Sequence, residues 1–426
     1  MASGARNYAI VTAAYWGFTL TDGALRMLVL LHFFHLGYSP FVLSFLFLLY
    51  EAAGIAANFI GGWLATRFGI TRMLTVGLST QITGFLVLSV LSPDWAAALS
   101  VVWVVAAQGI CGIAKDLTKT ASKSAIKVAE REARAEHAEG RLFHWVAWFT
   151  GSKNAMKGFG FFLGGLLLQT LGFRFSLWVM AAALAIILTG VVLSLPPMMG
   201  KSKASSSARE LLGKSRGVNL LAAARIALFG ARDVWFVVGV PVFLYANGWT
   251  FTMVGGFMAL WTIFYGLIQA SAPAVIRRSA DGLTREVPAA RLWSAMLASI
   301  PALIIVALEF DLGIRPDILL VIGLALFGAA FAINSSVHSY LILAYAGSEK
   351  AAEDVGFYYA ANAAGRFAGT LLSGVLYQWV GITACLTGSA LMLVACFLTT
   401  LALPLSKQDE LKESRTSASP ARPSQQ

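Results

Sequence analysis

The chain reads as an all-α polytopic membrane protein of twelve transmembrane helices, arranged as two six-helix pseudo-repeats with both termini in the cytoplasm. Three observations carry that reading: recurring apolar runs of spanning length, one-sided placement of the basic residues, and a constant offset between the two halves. Hydrophobic residues make up 58% and charged residues only 12% of the 426 positions. That leaves too little polar surface for a water-soluble globule of this size.

A bilayer core about 30 Å thick requires roughly 20 apolar residues per helical span. Such runs occur at 8–34, 41–64, 73–91, 95–114, 142–171 and 175–195, and again at 220–246, 251–275, 292–310, 318–345, 355–380 and 383–403. A basic, Ser- and Ala-rich connection separates the two sets of six. The chain therefore divides into an N-terminal bundle (1–196), a cytoplasmic linker (197–217), a C-terminal bundle (218–404) and a tail (405–426) whose composition predicts disorder. The first run is too long, and too interrupted by Asp22 and Arg26, for a cleaved signal.

A net charge of +11 would suit a nucleic-acid partner, but its distribution argues against one. Of the 32 Lys and Arg residues, 24 fall in the termini and the even-to-odd connections, two (Arg174 and Arg315) in the odd-to-even connections, and six inside spans. This asymmetry orients the chain with both ends inside, as expected of a bacterial inner-membrane protein in contact with its lipids. Cys111, Cys385 and Cys396 all lie within spans and read as buried core thiols. No phosphate-binding loop, metal-ligand spacing or nucleophile elbow appears, so neither a cofactor nor an enzymatic activity is expected.

The repeat is visible residue by residue. Lys157 is followed by Gly160, Leu163, Gly165, Leu167, Gln169 and Gly172, and Arg366 by Gly369, Leu372, Gly374, Leu376, Gln378 and Gly381, an offset of 209 throughout. Asp22 precedes Gly37-Tyr38-Ser39 by fifteen residues, as Asp233 precedes Gly248-Trp249-Thr250, an offset of 211. Parallel six-helix repeats are the arrangement of major facilitator transporters, which hold substrate between the halves near the midplane.

Charge inside a span costs about 2.5–3.5 kcal/mol on insertion scales, so each such residue is a functional candidate. Lys153 and Lys157 lie four apart on one helix face, with Gly160 and Gly164 leaving room for another helix. Either a bound anion neutralises them or an acid from another helix does, and Asp22, Glu51 and Asp233 are the available acids. Arg366 is the repeat equivalent of Lys157, on one face with Asn362. Arg26 can pair with Asp22 at i,i+4, and Arg232 lies beside Asp233. An Arg fork matches oxyanions bidentately and Lys supplies a point charge. Arg26, Lys153, Lys157, Arg232, Arg366 and Asn362 are therefore candidate substrate ligands, and Asp22, Glu51 and Asp233 candidate proton carriers or charge partners. Arg225 is either a further ligand or an anchor near the cytoplasmic end. His338 is either a packing residue or a substrate or proton ligand. Lys115, Lys119, Lys123 and Lys127 form either a lipid anchor or a funnel for anions.

Two segments resemble superfamily signatures. Gly62-Trp63-Leu64-Ala65-Thr66-Arg67-Phe68-Gly69, ending with Arg72, resembles the cytoplasmic gate motif of major facilitators, with Thr66 at the position of the family's acid. The run from Gly160 to Gly165 resembles the antiporter signature, with Phe161 where Pro is usual. More specifically, Asn7–Thr12 through Asp22–Arg26, Gly112–Lys119, Gly151–Gly158 and Phe229–Trp235 resemble the ArsJ-type organoarsenical efflux permeases of that superfamily. The resemblance implies export of 1-arseno-3-phosphoglycerate and arsenate resistance, with a glyceraldehyde-3-phosphate dehydrogenase as the functional partner that supplies the substrate. The alternative is a major facilitator exporter of another organic anion, a drug or a sugar.

Overall fold

A computed structural model describes residues 3–135, 139–197, 199, 215–276, 279, 281–310, 313–346 and 351–405, with side chains at 3–5, 58–66, 123, 126–135, 139–151, 273–274, 351–353 and 355 outside the description. Most of the linker, nearly all of the tail, and the side chains at positions 62, 66, 123 and 127 thus lie outside the described residues. The helices in chain order are α1 (Ser3–His35), α2 (Pro40–Leu46), α3 (Leu48–Phe68), α4 (Ile70–Ser89), α5 (Ala97–Ala135), α6 (Glu139–Ser194), α7 (Arg216–Phe236), α8 (Gly239–Ala246), α9 (Phe251–Val275), α10 (Glu286–Glu309), α11 (Pro316–Tyr345), α12 (Ala351–Val380) and α13 (Ile382–Leu401). Nine helical stretches among the described residues are long and apolar enough to cross a bilayer, and one of them, Ser152–Ser194, covers two of the expected spans.

The fold is polar inside and apolar outside. Asp22, Arg26, Glu51, Arg225 and Asp233 are buried, whereas Leu193, Ile186, Trp379 and Leu260 stand largely exposed on the outer faces. Water would penalise such a surface, and lipid would not.

Three elements depart from the expected helices, each for a local reason. The run at 220–246 is broken at Val237 and Val238, four and three residues before Pro241, whose ring cannot continue the helical bonding. Ser373 on α12 repairs the break, its hydroxyl accepting from the Val238 and Gly239 amides at 3.1 Å each. The run at 41–64 is broken at Phe47, just after Ser44 donates back to the Phe41 carbonyl at 2.7 Å, a bond that bends helices. Within α6 the backbone turns at Gly172, with φ 72°. In the opposite sense, α5 runs past the expected end of its span to Ala135, carrying the Lys115–Lys127 spacing on continuous helix.

Positions matched by the sequence offset share their backbone conformation. Gly37 and Gly248 have φ 87° and 85°, and Gly172 and Gly381 have φ 72° and 80°. Gly37 and Gly248 each end a helix in the same way, the following amide reaching back to Phe33 (3.1 Å) and to Leu244 (3.1 Å), as in a Schellman closure that needs a left-handed residue. Ser39 and Thr250 then cap α2 and α9.

Helix α6 packs chiefly on α1 within its own half and on α9 of the other half, and α12 packs on α7 and on α2 and α3. Glycines set these distances. A Cβ at Gly160 would lie 2.3 Å from the Leu20 carbonyl oxygen of α1, and one at Gly164 2.3 Å from that of Ala24, so α1 occupies the space that the sequence left beside Gly160 and Gly164. Gly160→Ala is expected to destabilise by about 1–3 kcal/mol, since rigid backbone must give way. Gly190→Ala, with nothing within 4 Å of the added carbon, is expected to be neutral or slightly stabilising. Thermal unfolding of the two purified variants compares them directly.

Candidate functional site

Five helices bring their buried charges to one place. From α1, Arg26 reaches across to the first turn of α3, where its Nη2 lies 2.8 Å from Glu51 Oε1. The same carboxylate oxygen accepts from Nη2 of Arg366, on α12, at 2.7 Å. Arg366 Nε turns to Asp233 Oδ2 of α7 at 3.2 Å, and Asp233 Oδ1 takes Arg232 at 2.5 Å. The chain Arg26–Glu51–Arg366–Asp233–Arg232 therefore runs unbroken from the N-terminal half into the C-terminal half. Lys115 of α5 adds a third cation near Glu51, 4.0 Å from its second oxygen.

Burial makes this arrangement consequential. Glu51 and Asp233 are each only 1% exposed, and a carboxylate taken out of water is tolerated only when paired and hydrogen-bonded. Each has at least two cations. The aromatic faces around them assist, with the Arg26 guanidinium 5.3 Å from the Phe47 ring and the Lys115 ammonium 3.7 Å from that of Tyr50.

Asp22 stands apart from this chain. It accepts a hydrogen bond from the Tyr50 hydroxyl, 2.7 and 2.8 Å from its two oxygens, and the i,i+4 pair with Arg26 suggested by the sequence is not formed. The reason is α3, whose first turn offers Tyr50 to one residue and Glu51 to the other. Asp22 and Asp233 thus occupy matching repeat positions in different environments, one against a phenol and one between two guanidiniums.

Lys157 approaches the same region from α6. Among the described residues no carboxylate lies within 4 Å of it, and its ammonium lies 5.6 Å from the centroid of the Phe161 ring. Lys153 is half-buried one turn away, and the next residue, Asn154, meets Gln269 of α9 at 3.2 Å. Asn362, half-buried one turn before Arg366, has a buried Oδ1 with no hydrogen-bond partner, as has Arg26 Nε. The site thus gathers five cations (Arg26, Lys115, Lys157, Arg232, Arg366) around three carboxylates (Asp22, Glu51, Asp233) and retains donors not committed to protein acceptors.

Tyr50 and Lys115 were not among the expected site residues. Tyr50 gave no signal beyond its place next to Glu51. Lys115 was legible only as the first member of a lysine stripe, yet it turns inward, while Lys119 pairs with Asp116 at 3.6 Å. The gate-motif residues lie elsewhere. Gly69, with φ 81°, makes the turn between α3 and α4; Arg67 and Arg72 are exposed. The segment after α6 fastens that turn, with the Ile70 amide donating to Met199 at 2.8 Å and the Thr71 hydroxyl to Pro196 at 2.7 Å.

At the end marked by Gly37 and Gly248 the halves close on each other. His35 Nδ1 lies 2.8 Å from the Tyr245 hydroxyl, and Gln169 Oε1 accepts from Thr252 at 2.7 Å. A shallow depression of about 460 Å³ lies over these contacts.

The chain is thus a multi-pass helical bundle whose two halves share buried ion pairs. Among solved structures it is similar to the nucleoside transporter NupG, determined as a point mutant, with a TM-score of 0.70 and 14% identity over 93% of this chain and 98% of that one. The likeness spans nearly all of both chains and extends to the fold alone. No protein-family profile and no curated protein matches the sequence.

Proposed function

We propose that the chain is a secondary active exporter of a small, multiply anionic organoarsenical, 1-arseno-3-phosphoglycerate. It works by alternating access in the bacterial inner membrane, with both termini cytoplasmic, and confers arsenate resistance. The observation that carries the reading is Lys157: an ammonium in an apolar helix, without a carboxylate within 4 Å among the described residues, facing a chain of arginines that outnumber their acids. Such a site favours ligands that bring negative charge with them. The resemblance of Asp22–Arg26, Gly151–Gly158 and Phe229–Trp235 to organoarsenical permeases supplies the particular substrate. A glyceraldehyde-3-phosphate dehydrogenase acting on arsenate would supply it in the cell.

In this mechanism the entering oxyanion competes with Glu51 and Asp233 for Arg26, Arg366 and Arg232. Glu51–Arg366 joins the two halves, so displacing the carboxylate weakens the contact that holds them together. Rocking of the halves then exposes the anion on the other side. Once the anion has left, Glu51, or Asp22 beside Tyr50, carries a proton back and releases it on the side of entry, and the ionised Glu51 re-forms its pairs with Arg26 and Arg366.

Everted membrane vesicles given the dehydrogenase, its substrates and arsenate test this. Arsenic is expected to accumulate inside only when the chain is present, with competition from phosphate esters and none from uridine. Uptake of uridine without arsenic would replace the reading by transport of a neutral solute.

A further inference from the structure

A second cationic site lies in the C-terminal half, outside the charge chain. Arg225 of α7 is 3% exposed, and among the described residues no carboxylate lies within 4 Å of it. Its Nη1 donates to the Ser335 carbonyl of α11 at 3.1 Å, while its buried Nε has no hydrogen-bond partner. Aromatic rings flank the guanidinium, with Phe229 4.1 Å and Tyr358 4.8 Å from Cζ. They satisfy its faces and leave its donor edge directed between α7 and α11.

That edge meets further uncommitted polarity. One turn along α11 from Ser335, His338 is fully buried with neither ring nitrogen hydrogen-bonded, and the Ser335 hydroxyl is buried and unpartnered as well. A buried polar group without a partner is costly, and here a guanidinium, an imidazole and a hydroxyl share one place with, among the described residues, no carboxylate within 4 Å of the guanidinium. The matching position in the N-terminal half, by the offset of 211, is Ala14, so the site has no counterpart there. Phe229 separates it from the charge chain, its ring also lying 4.9 Å from the Arg232 guanidinium. Along α7, Arg225 and Arg232 are about 10 Å apart.

We propose that Arg225, Ser335 and His338 form a second oxyanion site, confined to the C-terminal half, that binds a phosphate-type group about two helical turns from the central chain. The donors fit that chemistry: a fork of guanidinium N–H groups for two oxygens, and a hydroxyl and an imidazole for the others. The site does not depend on the arsenical reading, because any ligand with a phosphate-type head satisfies it.

Inorganic phosphate is the probe, titrated against the full chain carrying Lys157→Met so that the central region contributes least, in discs of neutral lipid. Phosphate is expected to raise the unfolding temperature. Adding Arg225→Lys, which keeps the charge and loses the fork, is expected to raise the half-saturating concentration about tenfold or more. His338→Gln should give a smaller rise and guards against a folding defect in the Arg225 variant. A response that appears only with phosphatidylglycerol in the discs, and is lost with Arg225→Lys, assigns the same site to a lipid headgroup. No response to either source, or an equal response after Arg225→Lys, overturns the proposal. Flux of the arsenical is read separately and can fail or succeed whatever this titration shows.

Discussion

Glu51→Gln is expected to be the most destabilising single change of a charged residue in this chain. The carboxylate is 1% exposed and serves Arg26, Arg366 and, more distantly, Lys115. Removing its charge leaves Arg26 with no other carboxylate within 4 Å among the described residues, whereas Arg366 keeps Asp233. Breaking one side of a buried pair typically costs about 3–5 kcal/mol, because the remaining charge stays desolvated. Glu51→Gln combined with Arg26→Gln removes both sides and is expected to recover part of the loss, so the two effects will not add. Unfolding midpoints of the purified single and double variants measure this. A Glu51→Gln protein as stable as the parent would mean that the chain of ion pairs contributes little to the folded state in the membrane.

The same substitution bears on conformation. Glu51 belongs to the N-terminal half and Arg366 to the C-terminal half, so their 2.7 Å contact favours arrangements in which these faces touch. A link that exists in one state and not in another shifts the population between them by its differential energy. Glu51→Gln is therefore expected to weaken the closed contact as well as the fold.

Much of this site was legible in the sequence for one physical reason: charge inside an apolar run is costly, and Arg26, Glu51, Lys157, Asp233 and Arg366 all interrupt such runs. The glycine pairs were legible too, because Gly37 and Gly248, or Gly172 and Gly381, occupy backbone conformations that side chains resist. The pairing was not. Glu51 lies 25 positions from Arg26 and 315 from Arg366, and nothing local to any of the three selects the others. The i,i+4 rule pointed to Asp22 for Arg26, but tertiary packing placed a stronger acceptor arrangement on α3. Both helix breaks escaped the sequence reading: Pro241 stood inside the continuous run expected at 220–246, and at Phe47 only a serine hydroxyl competes for the backbone.

Lys157→Met is expected to cut the proposed export sharply while leaving the protein folded, which separates it from every other cation of the site. Arg366→Met would leave Asp233 with Arg232 alone and Glu51 with Arg26 and Lys115, so a fall in transport would mix binding with stability. Lys157 has no carboxylate within 4 Å to orphan among the described residues, and Met keeps most of its length while losing the ammonium that faces the Phe161 ring. Removing a half-buried ammonium that has no ion-pair partner among the described residues is therefore expected to leave the unfolding temperature unchanged or raised. A cation about 4 Å from a ligand oxyanion contributes about 4 kcal/mol at an effective dielectric of 20, before desolvation is subtracted. Even a third of that is a tenfold change in half-saturating concentration. Arsenical flux in everted vesicles should accordingly drop by about tenfold or more at equal protein levels, and Lys157→Arg should retain part of it by keeping the charge. Full flux in Lys157→Met would exclude the ammonium as an anion ligand and leave the arginines, already engaged by Glu51 and Asp233, as a structural core.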